Sequence, residues 1–285
     1  MRAGQRTTYL GIPSTVGQSK SEIFQMLVDR TRKKSKDWKR RFLLGAGKMV
    51  LIKAVLQSIP SYIMSCFALP DQVCQQLNSV AVRFFWGQKN DERRIHWKSW
   101  KKICVPKGEG CLGFRDIALF NQAMLAKQVW RLLTNDTSLL ARSLKARYFP
   151  INDLLLASNA HNPSYAWKSL LVGRDLIVKG LALEVRKWGA NRIGVDSWLL
   201  DGKGQFFTAK VDDGFANLTA QEMMNGDLDA WDCEKIEEIL QPSDRQKVLF
   251  QIQPKPNEKD RPFWPWGKFN MYSVKSGYKL ALDLK

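Results

Sequence analysis

Pro70-Asp71-Gln72-Val73-Cys74-Gln75-Gln76-Leu77-Asn78-Ser79-Val80-Ala81-Val82-Arg83-Phe84-Phe85-Trp86-Gly87 is the stretch that decides the class of fold. Val73, Leu77, Val80 and Phe84 recur at i, i+4, i+7 and i+11, a spacing that lines one face of a helix and no face of a strand. The run starts after Pro70-Asp71 and stops at Gly87, a residue suited to the left-handed conformation that closes helices.

The same period returns on both sides. Ser19-Lys20-Ser21-Glu22 has the form of a capping box, in which hydroxyl and carboxylate each satisfy an orphan N–H, so a helix begins there. Ile23, Phe24, Leu27, Val28 and Thr31 form its buried stripe and leave Arg30, Arg32, Lys33, Lys34 and Lys36 outside. Gly45-Ala46-Gly47 interrupts the pattern as an interhelical turn, and Lys48 to Ser58 resumes it until Pro60 stops it. Downstream, Ile117, Phe120, Met124, Leu125, Val129 and Leu132 outline a helix opened by Asp116. Ser138 to Arg147 is a shorter helix, and Ser164 to Lys179 is another, closed by Gly180.

Beyond Pro150 helix and strand mix. Asp201-Gly202-Lys203-Gly204 marks a turn between short strand-like pieces, and Pro254 to Asp260 is a polar linker. An aromatic strand-like run, Phe263 to Trp266, and a final helix from Ser273 follow. The expectation is a mainly α fold, a basic helical part followed by a mixed α+β part, with no internal repeat.

Composition narrows the function. The net charge of +18 comes wholly from residues 1–150, with 27 Lys and Arg against 9 Asp and Glu, while residues 151–285 carry 18 of each. A cationic end on a balanced remainder suits a polyanion partner, nucleic acid first. Five widely spaced cysteines without a CxxC pair favour reduced thiols, hence an intracellular protein of nucleus or cytoplasm. Residues 1–21 contain Arg, Ser and Thr and no acid, the composition of an organellar transit peptide, so the mitochondrion stands as the alternative. The longest apolar run, Met49 to Pro70, is broken by Lys53, Gln57 and two prolines and falls short of a membrane span, so the chain reads as soluble.

Arg30 to Arg41 concentrates the charge: Arg30, Arg32, Lys33, Lys34, Lys36, Lys39, Arg40 and Arg41 are eight basic residues in twelve, with Trp38 among them. Six phosphate contacts from this set give a salt slope of about −5 on a log-log plot. A solvated helix face and a nuclear localisation signal are the other readings of the same run. Arg93, Arg94, Lys98, Lys101, Lys102 and Lys107 repeat the basic character around Trp97 and Trp100, where an indole either stacks on a base or packs in the core. Gly45-Ala46-Gly47-Lys48 fails as a phosphate loop because Phe42 and Met49 stand where glycine and Ser or Thr are required.

Catalytic and metal motifs are weak. Asp212-Asp213 is the only adjacent aspartate pair, and Gly214 after it marks a loop rather than a two-metal site. Cys104 and Cys111 with His96 lack zinc-ligand spacing and a fourth ligand, and His96 and His161 sit beside no evident nucleophile. No metal or cofactor is expected for this chain.

Several strings together resemble one family. They are Tyr9-Leu10-Gly11-Ile12-Pro13, Ala46-Gly47-Lys48, Leu51-Ile52-Lys53-Ala54-Val55-Leu56, Ile59-Pro60-Ser61-Tyr62, Phe85-Trp86-Gly87 and Ile95-His96-Trp97. Leu112-Gly113-Phe114-Arg115-Asp116, Phe120-Asn121-Gln122-Ala123, Ala126-Lys127-Gln128 with Trp130-Arg131, Ala146-Arg147-Tyr148-Phe149-Pro150 and Tyr272-Ser273-Val274-Lys275-Ser276-Gly277-Tyr278 continue the series. In this order they resemble the plant LINE-type, non-LTR retrotransposon reverse transcriptase over almost the whole chain. Related solitary reading frames also occur in plant mitochondria.

The resemblance implies that residues 1–13 end the palm region, 14–115 form a helical thumb-like nucleic-acid-binding part, 116–253 a connection, and 254–285 a linker and the start of a zinc-binding module. In the family the polymerase aspartates, which hold Mg²⁺, precede the segment matching Tyr9-Leu10-Gly11, and the zinc ligands follow the one matching Ser273 to Tyr278. No catalytic residue carries over. Cys111 replaces a family glycine, and Leu181 to Asn191 departs from the family pattern. The expected function is a non-catalytic fragment that grips RNA or an RNA/DNA template-primer through backbone phosphates, with no membrane and no small-molecule substrate. Its contacts are Arg30, Arg32, Lys33, Lys34, Lys36, Lys39, Arg40, Arg41 and Lys48, supported by Trp38. The alternatives are part of an active RNA-directed DNA polymerase when complete, a functionless pseudogene product, a protein-interaction scaffold, and a basic helix lying on a membrane surface.

Overall fold

Amphipathic segments of the N-terminal half fold as helices, and the positions they bury follow their sequence period closely. The computed structural model describes residues 8–9, 12–13, 20–39, 43–87, 97–151, 153–158, 162–184, 192–194, 199–200, 206–207, 209–211, 214–215, 217–225, 230–250 and 261–285. Thr8–Tyr9 (β1) and Ile12–Pro13 (β2) pair antiparallel. Lys20–Lys39 is α1, in which Ile23, Phe24, Leu27, Val28, Thr31 and Ser35 are buried. Thr31 sits in the core because its hydroxyl donates to the Leu27 carbonyl at 2.9 Å. Ser19, half of the expected capping box, lies outside the described residues.

Gly45–Leu51 forms α2, which corrects the interhelical turn expected at Gly45-Ala46-Gly47. Those glycines build the first helical turn: Leu44 is extended, and the Lys48 N–H donates to its carbonyl at 3.1 Å. Helix α2 runs into a π-helical turn, Ile52–Leu56, where the Gln57 N–H reaches the Ile52 carbonyl at 3.0 Å. That ends the second helix before Pro60, which instead sits at the start of α3, Ser61–Cys66.

Asp71–Phe85 is α4, with Cys74, Leu77, Val80, Ala81 and Phe84 buried. It closes on Gly87 at φ 70°, the left-handed residue expected there. Helix α4 packs against α1 over a core of Phe24, Leu27, Val28, Met64, Cys74 and Leu77. A second core gathers Ile52, Leu56, Phe84 and Phe114 with α5, Trp100–Cys104.

Three further helices open on side-chain oxygens, as their sequences foretell. Asp116 accepts from the Ala118 N–H at 3.0 Å to start α6, Ile117–Thr134. Ser138 accepts from Ala141 to start α7, Leu139–Tyr148, and Ser164 from Trp167 to start α8, Tyr165–Gly180.

Two compact units interleave along the chain. Met1–Val129, Tyr148–Leu176 and Ala281–Lys285 form the first; Trp130–Arg147 and Ile177–Leu280 form the second. In the first, Gly173 lets its helix approach α6 so closely that a Cβ would lie 2.5 Å from the Ala126 backbone nitrogen.

The second unit is mixed. It contains Ala182–Glu184 (β3), Leu199–Leu200 (β4), Phe206–Phe207 (β5), Cys233–Ile239 (α9), Pro242–Phe250 (α10), Arg261–Phe263 (β6) and Val274–Asp283 (α11), the last leaving it at Ala281. Strands β3 and β6 pair antiparallel with Ala182 opposite Phe263, and β4 pairs antiparallel with β5; the turn expected at Asp201 to Gly204 lies outside the described residues. The strand therefore stops at Phe263, and Trp264 turns inward, fully buried, 4.6 Å from the Tyr272 ring, with its indole N–H on Ser276 Oγ at 2.9 Å. Gly180 is the close-packing point expected to be a cap: a Cβ there would lie 2.6 Å from the Trp264 ring. Ser273 caps α11, accepting from the Ser276 N–H at 3.1 Å. The fold is mainly α.

Candidate nucleic-acid interface

Helix α1 sorts its residues by polarity. One side is the buried stripe, and the other carries Arg30, Arg32, Lys33, Lys34 and Lys36, all exposed. At 100° per residue, Arg30 and Lys34 follow one edge of the solvent face, Arg32 and Lys36 the other, and Lys33 lies between. From Arg30 to Lys36 the helix rises about 9 Å, enough to run beside two or three phosphates at the roughly 3.4 Å axial spacing of a strand.

Among the described residues, internal carboxylates leave most of this face unpaired. Among the described residues, only Arg32 of the five is ion-paired, to Asp29 at 3.4 Å, with both side chains about half exposed. Such a surface pair is readily exchanged for a phosphate. Lys34 lies 5.7 Å from the Trp38 ring centre. Trp38 itself is half-buried and packs on Phe84 at 6.0 Å, so its role in the helix is support.

The remaining candidates divide. Lys39 is the last residue of α1, and Arg40 and Arg41 lie outside the described residues. Lys48 is half-buried, and its ammonium reaches the Phe85 carbonyl at 3.5 Å, where it caps the C-terminal end of α4 instead of joining the α1 face.

Sequence reasoning missed the groove between α1 and α4. About 240 Å³ in volume, it is lined by Arg32 from α1 and by Gln72, Gln75, Gln76, Ser79 and Arg83 from α4, over Val80. The α4 residues fall at i, i+3, i+4, i+7 and i+11, a second stripe beside the apolar one. That polar stripe was visible in the sequence, but its facing partner was not. Ser79 spends its proton on the Gln75 carbonyl at 2.8 Å and keeps its lone pairs for accepting. Two guanidiniums, three amides and a hydroxyl with no carboxylate suit a phosphodiester and its sugar.

Trp97 and Trp100 part ways. Trp100 stacks on Phe114 at 5.3 Å with the planes 14° apart, while Trp97 is 79% exposed. Arg93, Arg94 and His96, like His161 and Asp212-Asp213, lie outside the described residues. Cys104 and Cys74 are buried, and burial pushes each thiol up to about 12, too protonated to serve as a thiolate ligand at neutral pH. Among the described residues no three His, Cys, Asp or Glu cluster as a metal site. No helix among them is long and apolar enough to cross a membrane.

Fold and surface thus define a mainly α protein with an exposed cationic helical face. A mitochondrial protein of Arabidopsis thaliana, named "Uncharacterized mitochondrial protein", is 39% identical over 145 residues, 50% of this chain and 94% of its own length. The chain belongs to the family of that protein. A second Arabidopsis thaliana relative, named "Putative ribonuclease H protein", is 27% identical over 267 residues. That match takes in 91% of this chain and only 42% of the relative. No family model matches the sequence.

Proposed function

We propose that the chain is a retrotransposon-related nucleic-acid-binding segment of the LINE reverse-transcriptase type, which grips sugar-phosphate backbones without extending them. The observation that carries this reading is the fan of exposed cations on α1, continued by the groove that Arg32 and Arg83 both line. The name of the longer relative, a ribonuclease H protein, agrees with work on nucleic acid. Binding of this kind is independent of sequence, because phosphates position a protein and base edges specify it.

Replacing Arg30, Lys33, Lys34 and Lys36 by Glu tests the reading. Affinity should fall equally for unrelated RNA sequences, and the log-log salt slope should become shallower by about 0.7–0.9 for each phosphate no longer neutralised. Unchanged filter binding at low salt would overturn it.

A second reading follows from the resemblance to reverse transcriptases, with the match taking in 42% of the longer relative: the segment serves as the strand-gripping part of a longer RNA-directed DNA polymerase. Primer extension with Mg²⁺ separates the two. Under the first reading the 285 residues bind template-primer and incorporate no nucleotide.

A further inference from the structure

We infer that Trp97 is a stacking platform for an unpaired nucleobase, so the chain takes single-stranded nucleic acid by base as well as by phosphate. The inference rests on the phosphate-gripping reading and adds what that reading lacks, a reason to prefer unpaired strands.

Tryptophan ordinarily buries its large apolar surface. Trp130, Trp167 and Trp264 are each 2% exposed or less, and among the described residues Trp97 is the most exposed tryptophan at 79%. The segment that follows it is anchored. Three residues on, Trp100 stacks on Phe114, and the Phe114 N–H donates to the Ile103 carbonyl at 3.3 Å. The Gly113 N–H donates to the Val105 carbonyl at 2.9 Å. An indole left in water beside an anchored segment offers an open face to a flat partner.

Charge selects that partner. Lys98 and Lys102 follow the indole in sequence, and both are exposed. Aromatic faces interleaved with cations bind single strands by stacking the base and tracking the phosphate, whatever the base. A duplex hides its base faces and offers only phosphates.

The test compares a short oligoadenylate with an abasic oligomer of the same length and charge, by fluorescence anisotropy at low salt. Wild-type protein should bind the base-bearing strand at least about fivefold tighter, the lower end of what one stacked base contributes. Trp97→Ala should bind both strands at the abasic level, and Trp97→Phe should restore the preference. Equal wild-type binding of the two strands, or a preference that survives Trp97→Ala, overturns the inference and leaves phosphate gripping standing. If neither strand binds, both fall.

Discussion

Asn121 joins three backbone groups through one buried amide. Its Oδ1 accepts from the Leu69 N–H at 2.7 Å, and its Nδ2 donates to the Met64 and Phe67 carbonyls at 2.7 and 3.0 Å. The segment leaving α3 has no helical partner for these groups, so a side chain from α6 supplies one. Asn121→Leu keeps the size and strands all three, which should cost about 3 kcal/mol and lower Tm by roughly 6 °C or more in calorimetry. Asp244 works similarly in the second unit. Burial alone would raise its carboxyl, but the Lys210 N–H at 2.9 Å, the Lys247 ammonium at 2.7 Å and the Ser243 hydroxyl outweigh it and hold it below its usual 3.8. A depressed folded value means its stabilisation is full above 3.8 and is lost as pH falls through the lower folded value. Thermal melts between about pH 5 and pH 2 should therefore show stability falling with acid, and Asp244→Asn should flatten that fall. Neither role was legible beforehand, because each depends on a carbonyl or amide distant in sequence.

At the scale of the element, the sequence was most readable where an apolar stripe and a cap coincide. Helices α4 and α6 have both, and their buried faces follow the expected period; α1 shows the stripe, while Ser19 of its cap lies outside the described residues. The failures have two causes. The five-residue α5 and six-residue α3 are too short for a period to show, and tertiary packing rather than propensity holds them. Gly45-Ala46-Gly47 misled because glycine is costly inside a helix, yet an exposed first turn tolerates it. The cationic face was legible for the same reason as the buried one, since one period fixes both. The groove was not, because nothing in either helix alone says that α1 and α4 pair. It makes a prediction with two arms. Arg83→Ala should weaken RNA binding and make the salt slope shallower by about 0.7–0.9, as one unneutralised phosphate requires. Gln75→Ala, lacking a charge to lose, should weaken binding with the slope unchanged, and both are read from one salt titration.

For the whole molecule, the two compact units do not follow one another along the chain. Residues Tyr148–Leu176 return to the unit built by Met1–Val129, where Tyr165 donates to the Ala68 carbonyl at 2.6 Å and Ser169 accepts from the Ala68 N–H at 2.9 Å. Fragment 1–129 lacks these partners and should show no cooperative thermal transition by circular dichroism, although it contains α1 to α5 intact. A break in composition marks linkers, not re-entry of a distant segment, so this arrangement left no local sign.

The interleaving also sets a timetable for manufacture. On the ribosome, at roughly 5–20 residues per second, several seconds separate the emergence of Val129 from that of Leu176, and through that interval the basic helices stand without their closing segment. A nascent chain carrying so much positive charge and an open apolar flank is a substrate for chaperones before it is a ligand for anything else.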